Sequence, residues 1–340
     1  MALKAWQRQT AAACECVGIF VCGTLLARLI ARAVGLPTRG LRDLQPSASV
    51  DFLSLAWVTG ANLLVRYGLI LTLAFAVGWW YRRWPLREYG VTTSRLPVKQ
   101  LIAIALLVFS VGGAIPKFLL FIGAYVPLGS APRHWELLQS TGSIDFWIYM
   151  AVSSYFLVPI LEELFARGYL QTRLGEDFGA PAAVLMTAAL FTASHRQYFI
   201  VSFIGLAMLA SLLFASLLVG YVRYRFGTVL PGMLAHALGN VPVRGTALLL
   251  LIFGMLGIIL LGHRVIAEHL RQMFQLISCR SAVQGAAATV MLVLVVVLIA
   301  STSPIALAAL GVGALLVAIV IEVKGRREIE AKAPTGSGTS

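Results

Sequence analysis

Two adjacent carboxylates, Glu162 and Glu163, stand inside the apolar run that leads from Ser153 to Arg167. Most of the other acids fall in loops or near the ends of apolar runs. A charge at the centre of a bilayer costs about 2.5–3.5 kcal/mol, so carrying both inward uncompensated would cost on the order of 5–7 kcal/mol. Such a pair has to be neutralised, hydrated or used. Glu163 and Arg167 are four apart and share a helix face, which suits an intrahelical ion pair. Glu162 is turned by about 100° from Glu163, which leaves it free for proton transfer. His195 closes the apolar run 188–194, and His236 lies four residues before Asn240, so the latter two project from one helix face. A carboxylate and an imidazole facing one another can hold a water and remove its proton. A second imidazole and an amide can donate to the oxyanion that then develops. Glu162 with His195 would form the activating pair, and His236 with Asn240 the oxyanion donors. Hydrolysis of a peptide bond by water is the reaction class this set suits. A buried salt-bridge cluster that only fixes helix packing is the structural alternative. Two His and one Glu would also complete a zinc site, although no HExxH occurs. Ser194 and His195 are neighbours, and adjacent helical residues point about 100° apart, which disfavours a serine nucleophile.

The elements that must position these residues are membrane helices. Of 340 residues, 59% are hydrophobic and only 12% charged, against about 25% charged in an ordinary soluble domain. That imbalance excludes a water-soluble fold. Apolar stretches at 12–31, 54–81, 100–126, 145–165, 181–195, 199–222, 228–243, 246–262, 283–300 and 305–322 predict an all-α, polytopic bundle of about eight to ten spans around an intramembrane polar cavity. The net charge of +13 follows from loops rich in Lys and Arg, and no soluble domain remains to bind nucleic acid. With the N-terminus inside, the inner loops 1–11, 82–99, 166–180, 223–227, 263–282 and 323–340 hold about 18 of the 27 basic residues, which supports cytoplasmic N- and C-termini. At about 1.5 Å per residue, Glu162 then lies about 18 Å above position 174. His195 lies about 21 Å above 181 and His236 about 15 Å above 226 by the same count. Three polar residues on three helices reach a similar depth, which favours one site.

Other segments read more simply. Lys4 and Arg8 before the first apolar run suggest a retained signal anchor. Cys14, Cys16, Cys22 and Cys279 make neither a disulfide framework nor a zinc pattern. Residues 82–99, with Arg82, Arg83, Arg87, Arg95 and Lys99, read as a basic interfacial elbow that touches anionic lipid or marks topology. Segment 263–282 suits a cytoplasmic amphipathic linker. Residues 283–322 suit a structural helix pair without an ionisable residue before Glu322, and 323–340 a disordered cytoplasmic tail. His134, His263 and His269 fall in loops on this reading.

Taken in order, Glu162-Glu163-x-x-x-Arg167, Phe191-x-x-x-His195 and His236-x-x-x-Asn240 resemble the CPBP family. These are the CAAX prenyl endopeptidases and bacteriocin-processing membrane proteins, glutamic-type intramembrane proteases. The resemblance covers about 145–262, a CPBP-like core between the N-terminal helices 1–144 and the linker. It implies a conical cavity open to the cytosol, with Glu162 and His195 activating water, His236 and Asn240 holding the oxyanion, and Glu163 and Arg167 supporting the site. No cofactor is implied, with zinc the one alternative. The expected partners are membrane lipid and a peptide or protein substrate, lipid-modified or membrane-anchored, and the expected location is the cell (inner) membrane. Two other functions use the same residues: a non-catalytic scaffold or immunity factor, and a proton-coupled transporter, though no repeat or pair of broken helices supports the latter.

Overall fold

The computed structural model describes residues 4–37, 51–92, 96–123, 143–195, 198–199, 202–241, 243, 245–278, 285 and 304–330. Among these residues the chain is all helical, with nine helices: α1 (Ala5–Ala33), α2 (Phe52–Ala76), α3 (Val98–Gly123), α4 (Ile144–Phe178), α5 (Ala180–Ser194), α6 (Phe203–Phe226), α7 (Leu230–Gly239), α8 (Gly245–Ile277) and α9 (Pro304–Glu330). Local signals set several of the ends. The side chains of Asp51, Ser143 and Ser202 accept hydrogen bonds from the amides of Ser54, Phe146 and Gly205, the N-caps of α2, α4 and α6. Such caps satisfy amides that a first turn leaves without partners. Gly227, at φ +72°, ends α6 in the left-handed conformation that glycine adopts without strain, and Pro231 opens α7 where its missing N–H costs nothing.

Six of the helices are long and apolar enough to cross a bilayer: α1, α2 with its extension to Tyr81, α3, α4, α6 and α8. The chain is a polytopic helical membrane protein. Two of the apolar stretches make shorter elements. Helix α7 has ten residues, about 15 Å against a hydrocarbon core of about 30 Å, and α5 has fifteen. Both short helices are largely packed against their neighbours in the bundle. Helix α8 runs unbroken through 263 to Ile277, so the first part of the proposed linker continues a span, and His263 and His269 stand on this helix rather than in loops. Of the proposed pair 283–322, residues 283–284 and 286–303 lie outside the described residues, as do Cys279, His134 and the tail 331–340.

Helix α4 occupies the middle of the fold. Two π-helical segments, Ala151–Leu157 and Leu164–Leu170, flank the short α stretch Val158–Glu163. Pro159 contributes to this irregular winding, since it has no N–H to give to the preceding turn, and π turns inside helices gather at functional sites. Around α4 the apolar side chains form two main clusters. One joins α1, α2, α5 and the second half of α4 through Ile19, Ile70, Phe165 and Tyr169. The other joins α3, α5, α6, α7 and α8 through Phe109, Val184, Leu218 and Met255.

The far end of α4 carries a second polar centre. Glu15, in the middle of the apolar run of α1, is buried, although its position gave no sign of this. Its Oε1 accepts from the Tyr169 hydroxyl at 2.5 Å, and its Oε2 from Arg82 Nη2 at 2.6 Å and Arg173 Nε at 3.0 Å. Arg173 also reaches Asp177 at 2.6 Å and, with Arg82, the Glu322 carboxylate of α9 at 3.1 and 2.9 Å. Arg82 is therefore an internal ion-pair partner rather than a lipid-facing charge, whereas Arg87 of the same elbow is exposed. Arg167 and Arg173, counted with the inner loops by sequence, are buried within α4. Burial works against the Arg82 charge, but the Glu15, Glu176 and Glu322 carboxylates outweigh it and raise its pKa above the ordinary value. Helix α9 also packs closely on α1: a Cβ at Gly18 would come within 2.5 Å of Leu315 Cγ.

Candidate active site

Glu162 and Glu163 lie in the short α stretch between the two π segments of α4, and their side chains enter different environments. Glu162 Oε1 accepts a hydrogen bond from the Tyr67 hydroxyl of α2 at 3.0 Å, and its Oε2 lies 3.8 Å from Nε2 of His195, at the end of α5. Glu163 Oε1 lies 3.0 Å from Arg167 Nη1 and 3.0 Å from Nδ1 of His236 on α7. Asn240, just past the end of α7, donates its side-chain amide to the backbone carbonyl of Ser154 at 2.9 Å, inside the first π segment. Glu162, Glu163, Arg167, His195, His236 and Asn240 all line one cavity of about 710 Å³ between α2, α3, α4, α6 and α7.

Hydrogen bonds fix the histidine protons. The Nδ1 of His195 is 2.8 Å from the carbonyl oxygen of Phe191, an atom that can only accept, so this nitrogen carries the proton. In the neutral ring Nε2 is then an acceptor turned towards Glu162. The Oε2 of Glu162 has no hydrogen-bond partner among the described residues, nor has the Oε2 of Glu163. Two acceptors 3.8 Å apart do not bond to each other directly, and only a shared donor could join them. The side chains of Glu162, His195 and His236 are 15%, 14% and 16% exposed, although the Oε2 of Glu162 is itself buried. On His236 the Nδ1 proton points at the Glu163 carboxylate, so Nε2 can donate only when the ring is an imidazolium, for which Glu163 is the counter-charge.

The supporting residues are dry. Glu163 and Arg167 side chains are 2% and 1% exposed. Arg167 Nη2 reaches the Ser216 hydroxyl at 2.5 Å and the Ser216 carbonyl at 3.2 Å on α6, and its guanidinium lies 4.5 Å over the Phe191 ring. That arrangement ties α4 to α5 and α6. Ser194 donates its hydroxyl to the Phe191 carbonyl at 2.7 Å. Among the described residues, no group of three or more His, Cys, Asp or Glu is placed to hold a metal ion.

Two further residues of this site have partners that the sequence does not show. Tyr67 sits in an apolar helix 95 residues from Glu162, and only long-range packing brings them together. Lys117 of α3 is buried and lines the cavity, where its ammonium donates to the carbonyls of Gly239 at 3.0 Å and Val241 at 2.9 Å. Its position inside an apolar span was visible, but its acceptors were not.

A buried polar cavity between apolar helices holds two carboxylates, two imidazoles and an amide, in a polytopic helical membrane protein. Residues 144–242 match the family model of the type II CAAX prenyl endopeptidases, described as Rce1-like. This segment is thus similar to the Rce1-like domains of a protease family, consistent with the CPBP resemblance, and it contains all six candidate site residues. No curated protein and no solved structure matches the chain.

Proposed function

We propose that the protein is an intramembrane endopeptidase that hydrolyses a peptide bond with a water activated by Glu162 and His195. The observation that carries this reading is the bare Oε2 of Glu162 facing the acceptor nitrogen of His195 at 3.8 Å. A water bound there gives one proton to the pair as its oxygen attacks the carbonyl carbon of the substrate. The C–O bond forms while the carbonyl oxygen takes on negative charge. The second amide proton of Asn240 and the Nε2 proton of imidazolium His236 are the donors for that oxyanion. Collapse of the intermediate breaks the C–N bond, and the proton held by Glu162 or His195 passes to the leaving amine. Glu163 and Arg167 act through His236 and the packing of α4: the carboxylate orients the ring and balances its charge. Apolar side chains such as Phe109, Phe146 and Met208 line the rest of the cavity, which suits a peptide with a lipid-modified or apolar segment. The positive bias of the loops supports cytoplasmic termini and an opening on that side, in the cell membrane.

The test is cleavage of a reporter peptide by the purified full chain. Glu162→Ala should abolish cleavage while membrane insertion and helix content persist. Full activity in that variant would remove the proposal. Loss of activity on chelation, restored by zinc, would replace the water-only mechanism with a metal-dependent one.

A further inference from the structure

Five charged side chains are buried among the described residues: Glu15, Lys117, Glu163, Arg167 and Arg173. Four are ion-paired, Glu15 with Arg82 and Arg173 and Glu163 with Arg167. Lys117 forms no ion pair with a described carboxylate. Its ammonium has three donors, and two of them meet the Gly239 and Val241 carbonyls at the end of α7. A helix C-terminus offers roughly half a negative charge, which leaves the cation partly uncompensated in a setting where an unpaired charge is costly. The same side chain lines the cavity that holds Glu162 and His236.

We propose that Lys117 is the anion subsite of this cavity and takes a carboxylate of the bound peptide. The two carbonyls that hold it flank Asn240, whose amide is the proposed oxyanion donor, so the carboxylate lies within a few residues of the scissile bond. A free C-terminus is one source of that group, and an Asp or Glu side chain near the end of the peptide is the other. The proposal rests on the peptidase reading of the site.

The experiment compares three prenylated reporter peptides with the full chain in proteoliposomes: one with a free C-terminal carboxylate, its C-terminal amide, and an amide carrying Asp next to the terminus. KM and kcat are measured for wild type and for Lys117→Gln, whose amide can still donate to the α7 carbonyls but carries no charge. Wild type should show a KM at least about tenfold lower for the free acid than for the plain amide, as expected for loss of one charge-assisted contact. Lys117→Gln should lose that preference at little-changed kcat, and Lys117→Arg should keep it. An Asp amide that matches the free acid shows that the subsite takes a side-chain carboxylate as well as a terminal one, and one that matches the plain amide confines it to the terminus. Equal KM values for all three peptides in wild type would overturn the subsite. So would a Lys117→Gln variant that keeps the preference and only lowers kcat, since Lys117 would then merely brace α7. Binding of the same peptides to Glu162→Ala, followed by fluorescence anisotropy, separates the two levels. Preferential binding of the acid with no cleavage by wild type would sink the peptidase reading and leave the subsite standing.

Discussion

Helix α4 carries buried charge in two places, and they are built differently. At its far end both oxygens of Glu15 are occupied by Tyr169, Arg82 and Arg173, and Arg173 reaches three further carboxylates. No side-chain nitrogen or oxygen of Glu15, Arg82 or Arg173 is buried without a partner. In the cavity, Glu162 Oε2, Glu163 Oε2 and Arg167 Nε have none. A saturated network holds α1, α2, α4 and α9 in one arrangement, because any departure exposes an unpaired charge to a medium that penalises it. An unsaturated one leaves hydrogen-bonding capacity for water and substrate, at some loss of stability. The same residue types thus serve packing in one place and, on the proposed reading, chemistry in the other.

Substitutions can separate these two roles. Arg173→Met removes the cation at the centre of the saturated network and leaves Glu15 and Asp177 short of a partner. It should destabilise the protein by about 3–5 kcal/mol, read as a fall in thermal midpoint in detergent and in membrane abundance. An unchanged midpoint would mean that the network is dispensable. Glu163→Gln keeps the shape of the site but removes the counter-charge of Arg167 and His236. A loss of about 1.5–3 kcal/mol in transition-state stabilisation is expected, seen in kcat/KM, together with a smaller loss of stability. Tyr67→Phe deletes one hydrogen bond to Glu162 and nothing else. It should reduce kcat by about 0.5–1.5 kcal/mol with KM and thermal midpoint unchanged, and a stability loss without a kinetic one would assign Tyr67 to packing.

The sequence disclosed the cavity better than the network, for a physical reason. Glu163 and Arg167 are four apart and their pairing is a property of one helix, so the 3.0 Å contact is legible locally. The divergence of Glu162 from Glu163 follows from the same 100° step, and the two side chains do meet different partners. The similar depths expected for Glu162, His195 and His236 needed only loop charges and helix rise, and the three residues line one cavity. Glu15 was not legible as a paired acid, because Arg82 and Arg173 lie 67 and 158 residues away and nothing on α1 announces them. Glu322 closes that network from α9, a helix that looked merely structural. Helices α5 and α7 read as spans in the sequence because they are as apolar as the long helices, and only their shortness and internal packing distinguish them. The π segments of α4 leave no mark in the sequence beyond Pro159, yet Asn240 reaches the Ser154 carbonyl within one of them.

The most direct measurement is Glu162→Gln assayed for cleavage and thermal stability on the same preparation. Gln keeps the size of the side chain and an acceptor for Tyr67, and removes the proton-accepting carboxylate. Cleavage should fall by about 10²–10⁴-fold while the thermal midpoint stays level or rises. Retained cleavage, or a loss of activity that tracks a loss of folded protein, would contradict the proposed mechanism.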